Sequence, residues 1–465
     1  MLTYSFENRG ETTLYEYLYQ CIREDIVRYR LSPHQKLPSK RALAKHLNIS
    51  TVTVENAYGQ LVAEGYLYSV PKSGYYVSDL TSAALGKQNA SLPLPLPSPS
   101  SEYTADFVNN SIAPDSFPFA LWTKLMRATM SDDAKKLMVR SPSAGIMELR
   151  SAIAEHLYQF RGITVTPEQI VIGAGTEYLY SLLIQLLGHH KTYAVEDPGY
   201  PKIARIYQAN HVACVFVPLD ENGLSPSLLE QTGADVLHIS PSHHFPTGIV
   251  MPVSRRYELL SWASKSGDRY IIEDDFDSEF RLLGKPIPPL WSIDVADKVI
   301  YMNTFSKTLT STIRISYMVL PVPLMKKYGQ ELGFYSCTVS NFEQYTLARF
   351  IREGYFEKHI NRMRNFYRSQ RDLLLDRIRN HPMYPHMEIR EEHAGLHFLL
   401  KLHTSLTDRE LMEIAAGQNI HISCLSQYFR NPQPSREHIL LINYSGITAE
   451  AAGEALDRLF DSIRK

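Results

Sequence analysis

The sequence predicts an α/β protein with a small helical unit in front of it, and three observations carry that expectation. From Asp106 onward, near-continuous apolar segments recur: QIVIGAG, TYAVEDPG, DVLHISPS, RYIIEDDF, VIYMNTFS and SYMVLP, with helical stretches between some of them. Strands that are apolar on both faces and alternate with helices imply a parallel or mostly parallel sheet covered on both sides. Residues 81–105 carry prolines at 93, 95, 97 and 99, the composition of a semi-rigid spacer. Ahead of the spacer, residues 1–80 show short helical patterns and then a small hairpin. The expected division is therefore 1–80, 81–105 and 106–465, and 465 residues suffice for two or three domains.

Composition narrows the function classes. Hydrophobic residues make up 44% and charged residues 21%, as in ordinary globular chains. The net charge of -1 gives no global attraction to nucleic acid or membrane, so a DNA-binding role must show as local charge. Cys21, Cys214, Cys337 and Cys424 are far apart, without a CxxC pair, which leaves zinc and dithiol chemistry unsupported. Reduced thiols, no secretory pattern in MLTYSFENRGETT and no apolar run of membrane-spanning length lead to the expectation of a cytoplasmic protein.

The first unit reads as a winged helix-turn-helix. One helix is expected over residues 12–30, with Leu14, Leu18, Ile22 and Ile26 at four-residue steps, and a second over 39–47, after Pro38. The turn NIS follows, and Ser50 caps a third helix, TVTVENAYGQLVAEG, closed by Gly65. YLYSV, a PKSG turn and YYVSDL form the hairpin. Between Ile26 and Val54 there are six Lys or Arg and no acid: Arg28, Arg30, Lys36, Lys40, Arg41 and Lys45. Such charges position a protein on phosphates without reading sequence. Thr51, Thr53 and Asn56, at the start of the third helix, are the candidate base contacts, with Lys40, Arg41 and Lys72 of the wing toward phosphate. The stretch KLPSKRALAKHLNISTVTVENAYGQLVAEGYLYSVPKSGYYV resembles the winged-helix domain of GntR-family bacterial regulators along its whole length. Many members carry Arg after the serine that opens the recognition helix; this chain has Thr51.

In the large unit, YMNTFSKTLTSTIR holds the chemistry. The strand Val299 to Met302 runs into a Ser/Thr-rich turn with one lysine, Lys307, and Arg314 seven residues on. A desolvated, deprotonated lysine amine forms a Schiff base with an aldehyde. Thr304, Ser306 and Arg314 suit a phosphate, Arg through its bidentate fork. Aldehyde plus phosphate describes pyridoxal 5'-phosphate. Gly175, Thr176 and Glu177 join a strand to a helix, and N–H groups at a helix start bind phosphate. Asp274 and Asp275 end the strand RYIIEDD; neighbours on a strand point opposite ways, so one of them can hold the proton on the pyridine nitrogen.

The segment around Lys307 is similar to the lysine segment of fold-type I enzymes of the aspartate aminotransferase class, and the likeness extends over roughly residues 106–460. It implies a large domain with a mostly parallel central sheet and a smaller C-terminal α/β subdomain. It also implies Asp274 as the pyridine partner, Tyr200 of EDPGYP as the aromatic stacked on the ring, and SPSHHFPTG as a cofactor-flanking loop. His243 and His244 in that loop are read as structural. Reader, spacer and sensor in this order resemble the MocR-type regulators. That resemblance implies an internal aldimine at Lys307, an amino-compound effector, and a head-to-tail homodimer on double-stranded operator DNA.

Several positions depart from a working transaminase. Phe276 stands where the family places a tyrosine on the phenolic oxygen of the cofactor, and Val139 stands where another tyrosine reaches the neighbouring subunit's phosphate. Asn303 replaces the glycine often found before TFSK, and Lys202 replaces an arginine two residues after the stacking aromatic. Lys202, Arg205 and Arg430 are the basic candidates for an effector's carboxylate. The leading expectation is a regulator that senses an amino compound, or pyridoxal 5'-phosphate itself, at Lys307. The rivals are an aminotransferase with a DNA-binding tether and a sensor that has lost the cofactor.

Overall fold

A computed structural model describes residues 2–6, 9–10, 12–80, 103–109, 112, 116–282, 287–393, 395–432 and 438–464. The chain forms two compact units, Met1–Ser100 and Ser101–Lys465. The expected spacer, 81–105, lies outside the described residues up to 102; Ala105 already belongs to a strand.

The first unit consists of α1 (Leu14–Val27), α2 (Lys40–Leu47), α3 (Thr51–Ala63) and the antiparallel hairpin β1 (Leu67–Val70) and β2 (Gly74–Val77). Leu18, Ile22 and Ile26 of α1, Leu43 of α2 and Val54, Ala57, Tyr58 and Leu61 of α3 form its core. The helix α1 is shorter than the apolar spacing suggested, because Tyr29 takes a left-handed conformation (φ 56°) and ends it. Asn48, also left-handed, makes the turn between α2 and α3. Ser50 Oγ accepts the Thr53 N–H at 3.0 Å, the cap its position implied.

The second unit contains fourteen further strands among the described residues: β3 (Ala105–Asp106), β4 (Ile170–Gly173), β5 (Thr192–Asp197), β6 (Ala213–Asp220), β7 (Gly223–Leu224), β8 (Val236–Ile239), β9 (Tyr270–Asp274), β10 (Val299–Thr304), β11 (Ser316–Val319), β12 (Met387–Arg390), β13 (His397–Leu402), β14 (Ile420–His421), β15 (Ser423–Cys424) and β16 (Ile439–Asn443). The main sheet has the order β4-β11-β10-β9-β8-β5-β6-β7. Its centre, β10-β9-β8-β5-β6, is parallel, while β11 runs antiparallel to both β10 and β4. All six strands expected from the sequence are in it; β6, half-exposed and less apolar, was not foreseen.

Alternation along the strands fixes the two faces. Ile272 and Met302 pack with Leu179 and Leu183 of the helix Thr176–Leu187, while Ile271 and Val299 pack with Trp262 on the other side. Asp274 follows Ile272 in parity, and Asp275 follows Ile271. A smaller antiparallel sheet, β12-β13-β16-β15, is covered by the helices Tyr355–Arg379 and Ala449–Ile463 and forms the C-terminal subdomain. No described helix is long and apolar enough to cross a membrane.

Candidate cofactor site

The carboxyl ends of the parallel strands open on a cavity of about 810 Å³, the place where an α/β sheet binds its ligand. The structure brings to it Gly175, Thr176, Glu177, Tyr200, Lys202, Arg205, Asp274, Phe276, Thr304, Ser306, Lys307, Arg314 and Arg430. Val139, the site of a departure, is an exposed residue outside it.

Lys307 follows β10 in the turn the sequence indicated. The residue is half-buried, but its amine lies deep in the cavity, and desolvation brings it down to about 8, opposed by Asp277. At neutral pH a useful fraction is the nucleophilic free amine. In the unfolded chain a lysine titrates near 10.4. Between about 8 and about 10.4 the unfolded chain therefore binds more protons, and the cofactor-free unit gains stability as pH rises through that window. The rate at which cofactor-free protein captures pyridoxal 5'-phosphate is expected to climb with pH and level off above about 8, measured by stopped-flow absorbance.

The register sets Asp274 against Met302. Its carboxylate is 6% exposed; Oδ2 accepts the Tyr180 hydroxyl at 2.5 Å and lies 3.7 Å from His238 Nε2. Burial, and then Asp274, hold that hydroxyl protonated as a donor. The other oxygen, Oδ1, is buried without a hydrogen-bond partner among the described residues. A buried carboxylate oxygen without a partner, on a residue that lines the cavity, fits a ligand N–H. Asp275 faces away: its Oδ2 meets Arg161 Nη2 at 2.5 Å, Tyr301 Oη at 2.7 Å and Ser278 Oγ at 2.9 Å.

Across the cavity, Gly175 (φ 90°) opens the helix Thr176–Leu187. A β-carbon there would stand 2.8 Å from Arg314 Cζ and closer to Nη2, so any side chain would displace the guanidinium from this place. Arg314 itself is left-handed (φ 50°) and half exposed, and Nη2 lies 3.3 Å from Glu177 Oε2. Glu177 also pairs with Lys202, which lines the same cavity. Thr304 is buried, and its Oγ1 accepts the Ser306 N–H at 3.1 Å and the Ser316 hydroxyl at 2.8 Å. Gly175→Ala combines a strained φ with the collision on Arg314, and is expected to weaken cofactor retention about tenfold or more in equilibrium dialysis.

The remaining walls are aromatic. Tyr200 meets Phe245 edge-on at 5.7 Å, and Phe245 meets Tyr428 edge-on at 5.4 Å. Arg430 lies over the Phe216 ring at 5.2 Å, and its N–H donates to Asp197 Oδ1 at 2.8 Å. Arg205 is exposed at the rim. His243 and His244 are buried, held by Asp277 at 2.8 Å and Thr247 at 2.7 Å.

Sequence reasoning missed Tyr180, His238 and Glu196. A histidine inside the apolar strand DVLHI and a glutamate inside TYAVED were the available signals, since polar residues in buried strands need a reason. Glu196 is buried beside Asp274; desolvation pushes it up to about 8, so it adds little charge at neutral pH.

Comparison with known proteins agrees with this geometry. Residues 14–77 match the bacterial regulatory proteins of the gntR family, and residues 115–459 match aminotransferase class I and II. The HTH-type transcriptional regulator YdeL of Bacillus subtilis is 37% identical, with 98% of each chain covered. The pyridoxine biosynthesis transcriptional regulator PdxR of Corynebacterium glutamicum is 32% identical over 90% of this chain and 89% of its own. The probable rhizopine catabolism regulatory protein MocR of Rhizobium meliloti is 30% identical over 97% and 94%. Among solved structures, the Pyrococcus horikoshii kynurenine aminotransferase superposes with a TM-score of 0.68, at 23% identity over 78% of this chain and 91% of that one.

A winged-helix reader joined to a lysine-bearing aminotransferase fold defines a DNA-binding transcriptional regulator whose cofactor is pyridoxal 5'-phosphate. The chain belongs to the MocR-type regulators of the GntR family.

Proposed function

We propose that the protein regulates transcription from the cytoplasm in response to an amino compound, or to pyridoxal 5'-phosphate itself, received at Lys307. The observation that carries this reading is the meeting, in one cavity, of a desolvated lysine and a buried carboxylate oxygen without a partner among the described residues.

When bound, the cofactor supplies an aldehyde that condenses reversibly with a primary amine. The protein's own groups have distinct tasks. Lys307 offers an amine that desolvation makes easier to deprotonate. Asp274, steadied by Tyr180, keeps a proton on the ring nitrogen through Oδ1. Arg314, Thr304, Ser306 and the backbone of Gly175 and Thr176 hold the phosphate, and Glu177 orients Arg314. Tyr200 covers the ring. Phe276 lines the same cavity with a side chain that has no hydroxyl to give, which weakens proton handling and favours sensing over turnover. Lys202, Arg205 and Arg430 are the cations on the cavity wall for an effector's anionic group, Lys202 being paired as well with Glu177.

A ligand moves such a sensor only through its different affinity for two states. Two chains paired head to tail would present two readers, so the operator would hold two half-sites. Purified protein is expected to be yellow, and borohydride should fix one cofactor per chain to Lys307, read by peptide mass spectrometry. A colourless protein that stays so with added pyridoxal 5'-phosphate contradicts the reading. Sustained keto-acid production from amino donors would favour the enzyme instead.

A further inference from the structure

The face of α3 that a major groove would meet has a telling composition. Val54, Ala57, Tyr58 and Leu61 are buried in the reader's core. The opposite side exposes Thr51, Val52, Glu55, Asn56, Gly59 and Gln60, with no lysine or arginine among them. Arg or Lys bidentate to guanine O6 and N7 is the commonest base-specific contact, and α3 has no side chain to make it.

Most of the polar groups near the start of α3 are already engaged. Lys40 Nζ lies 2.5 Å from Glu55 Oε1 and engages one oxygen of that exposed carboxylate. The Thr53 hydroxyl is 2.8 Å from Ser50 Oγ, inside the helix cap, and the Gln60 amide donates to Glu64 at 3.0 Å. Thr51, exposed at the first helical position and without a hydrogen-bond partner among the described residues, has a hydroxyl that suits any base. Two more selective groups remain on the reading face. One is Asn56, exposed and without a hydrogen-bond partner among the described residues. The other is Val52, the second residue of the helix, which is 62% exposed and belongs to no part of the core.

These two side chains match the two marks of an A·T pair in the major groove. An apolar group suits the thymine 5-methyl, and an asparagine amide suits adenine N6 and N7. The first residues of a recognition helix are the ones that reach base edges. We propose that α3 reads A·T pairs, with Val52 seated on a thymine methyl and Asn56 paired with adenine. Arg41 and Lys45, exposed on α2, then serve the phosphates and carry no base preference. This rests on the reading of residues 14–77 as a DNA reader.

The test uses the full-length protein. A pool of random-sequence duplexes is enriched for binding, and the selected half-site is remade with 2'-deoxyuridine replacing one thymidine at a time. That exchange removes only the methyl group. One such duplex is expected to bind about fourfold more weakly, the worth of burying one methyl. Val52→Ala should bind the thymine and uracil duplexes alike, and Asn56→Ala should relax the adenine preference by about fivefold or more. Both residues are exposed, so neither change disturbs the core. Half-sites with invariant G·C pairs under the helix, insensitive to uracil, overturn the proposal. So does an equal uracil effect in wild type and Val52→Ala. Salt-dependent binding without any sequence preference overturns the proposal alone. Absence of any salt-dependent DNA binding removes the DNA-reader reading as well, and the two failures are distinguishable.

Discussion

Lys307→Ala is expected to abolish covalent attachment of the cofactor completely. Borohydride treatment should add the mass of one reduced cofactor to the wild-type peptide containing Lys307 and none to the variant. The groups proposed for the phosphate and the ring do not include the amine: Asp274 ends β9, Gly175 and Thr176 open the helix Thr176–Leu187, and Arg314 stands seven residues beyond Lys307 in the β10–β11 loop. Non-covalent binding should therefore persist, at reduced affinity. Stability of the cofactor-free unit should not fall, because the ammonium form of Lys307 is disfavoured by desolvation and alanine removes that penalty. The reader has its own core, built on Leu18, Ile22, Tyr58 and Leu61. DNA affinity without effector should be retained, and the response to an amine effector should be lost. An adduct that moves to a different lysine would break the assignment of Lys307. Loss of DNA binding together with the reader's fold would break the modular picture.

How far the sequence exposed this site depended on how local each signal was. The lysine turn was legible because strand, hydroxyls, lysine and arginine lie within fourteen residues. The reader was legible for the same reason: Ser50, the apolar steps and the hairpin turn are local devices. Parity on a strand reduced Asp274 and Asp275 to one pyridine partner. The structure separates them by their neighbours, Tyr180 on one face and Arg161 on the other. Those neighbours lie 94 and 114 residues away in the chain, and nothing local in Tyr180 or Arg161 announces the pairing. Lys202, beside Tyr200 on the cavity wall, has a partner that was hidden in the same way: the helix start across the cavity supplies Glu177. The antiparallel insertion of β11 between β10 and β4 was equally hidden, because a buried strand reads the same in either direction.

The pair behind the site carries the largest expected effect on stability. Arg161 and Asp275 are 8% and 2% exposed and meet at 2.5 Å. Arg161→Met leaves a buried carboxylate with only the Tyr301 and Ser278 hydroxyls, neither of which supplies positive charge. Breaking a buried ion pair from one side costs about 3–5 kcal/mol, mostly for the charge left behind. All three tryptophans, Trp122, Trp262 and Trp291, lie in the second unit, so urea unfolding followed by tryptophan fluorescence reads that unit alone. The double substitution Arg161→Met, Asp275→Asn removes both charges and should recover part of the loss, with a coupling of about 0.5–3 kcal/mol. Equal losses in single and double variants would mean that Asp275 does not depend on Arg161. The consequence should reach the cofactor. Asp275 anchors the outer side of the chain just past β9, and the next residue back, Asp274, faces the cavity. If Arg161 fixes that orientation, Arg161→Met should lose cofactor at urea concentrations where tryptophan fluorescence still reports a folded unit, and the double variant should hold it longer.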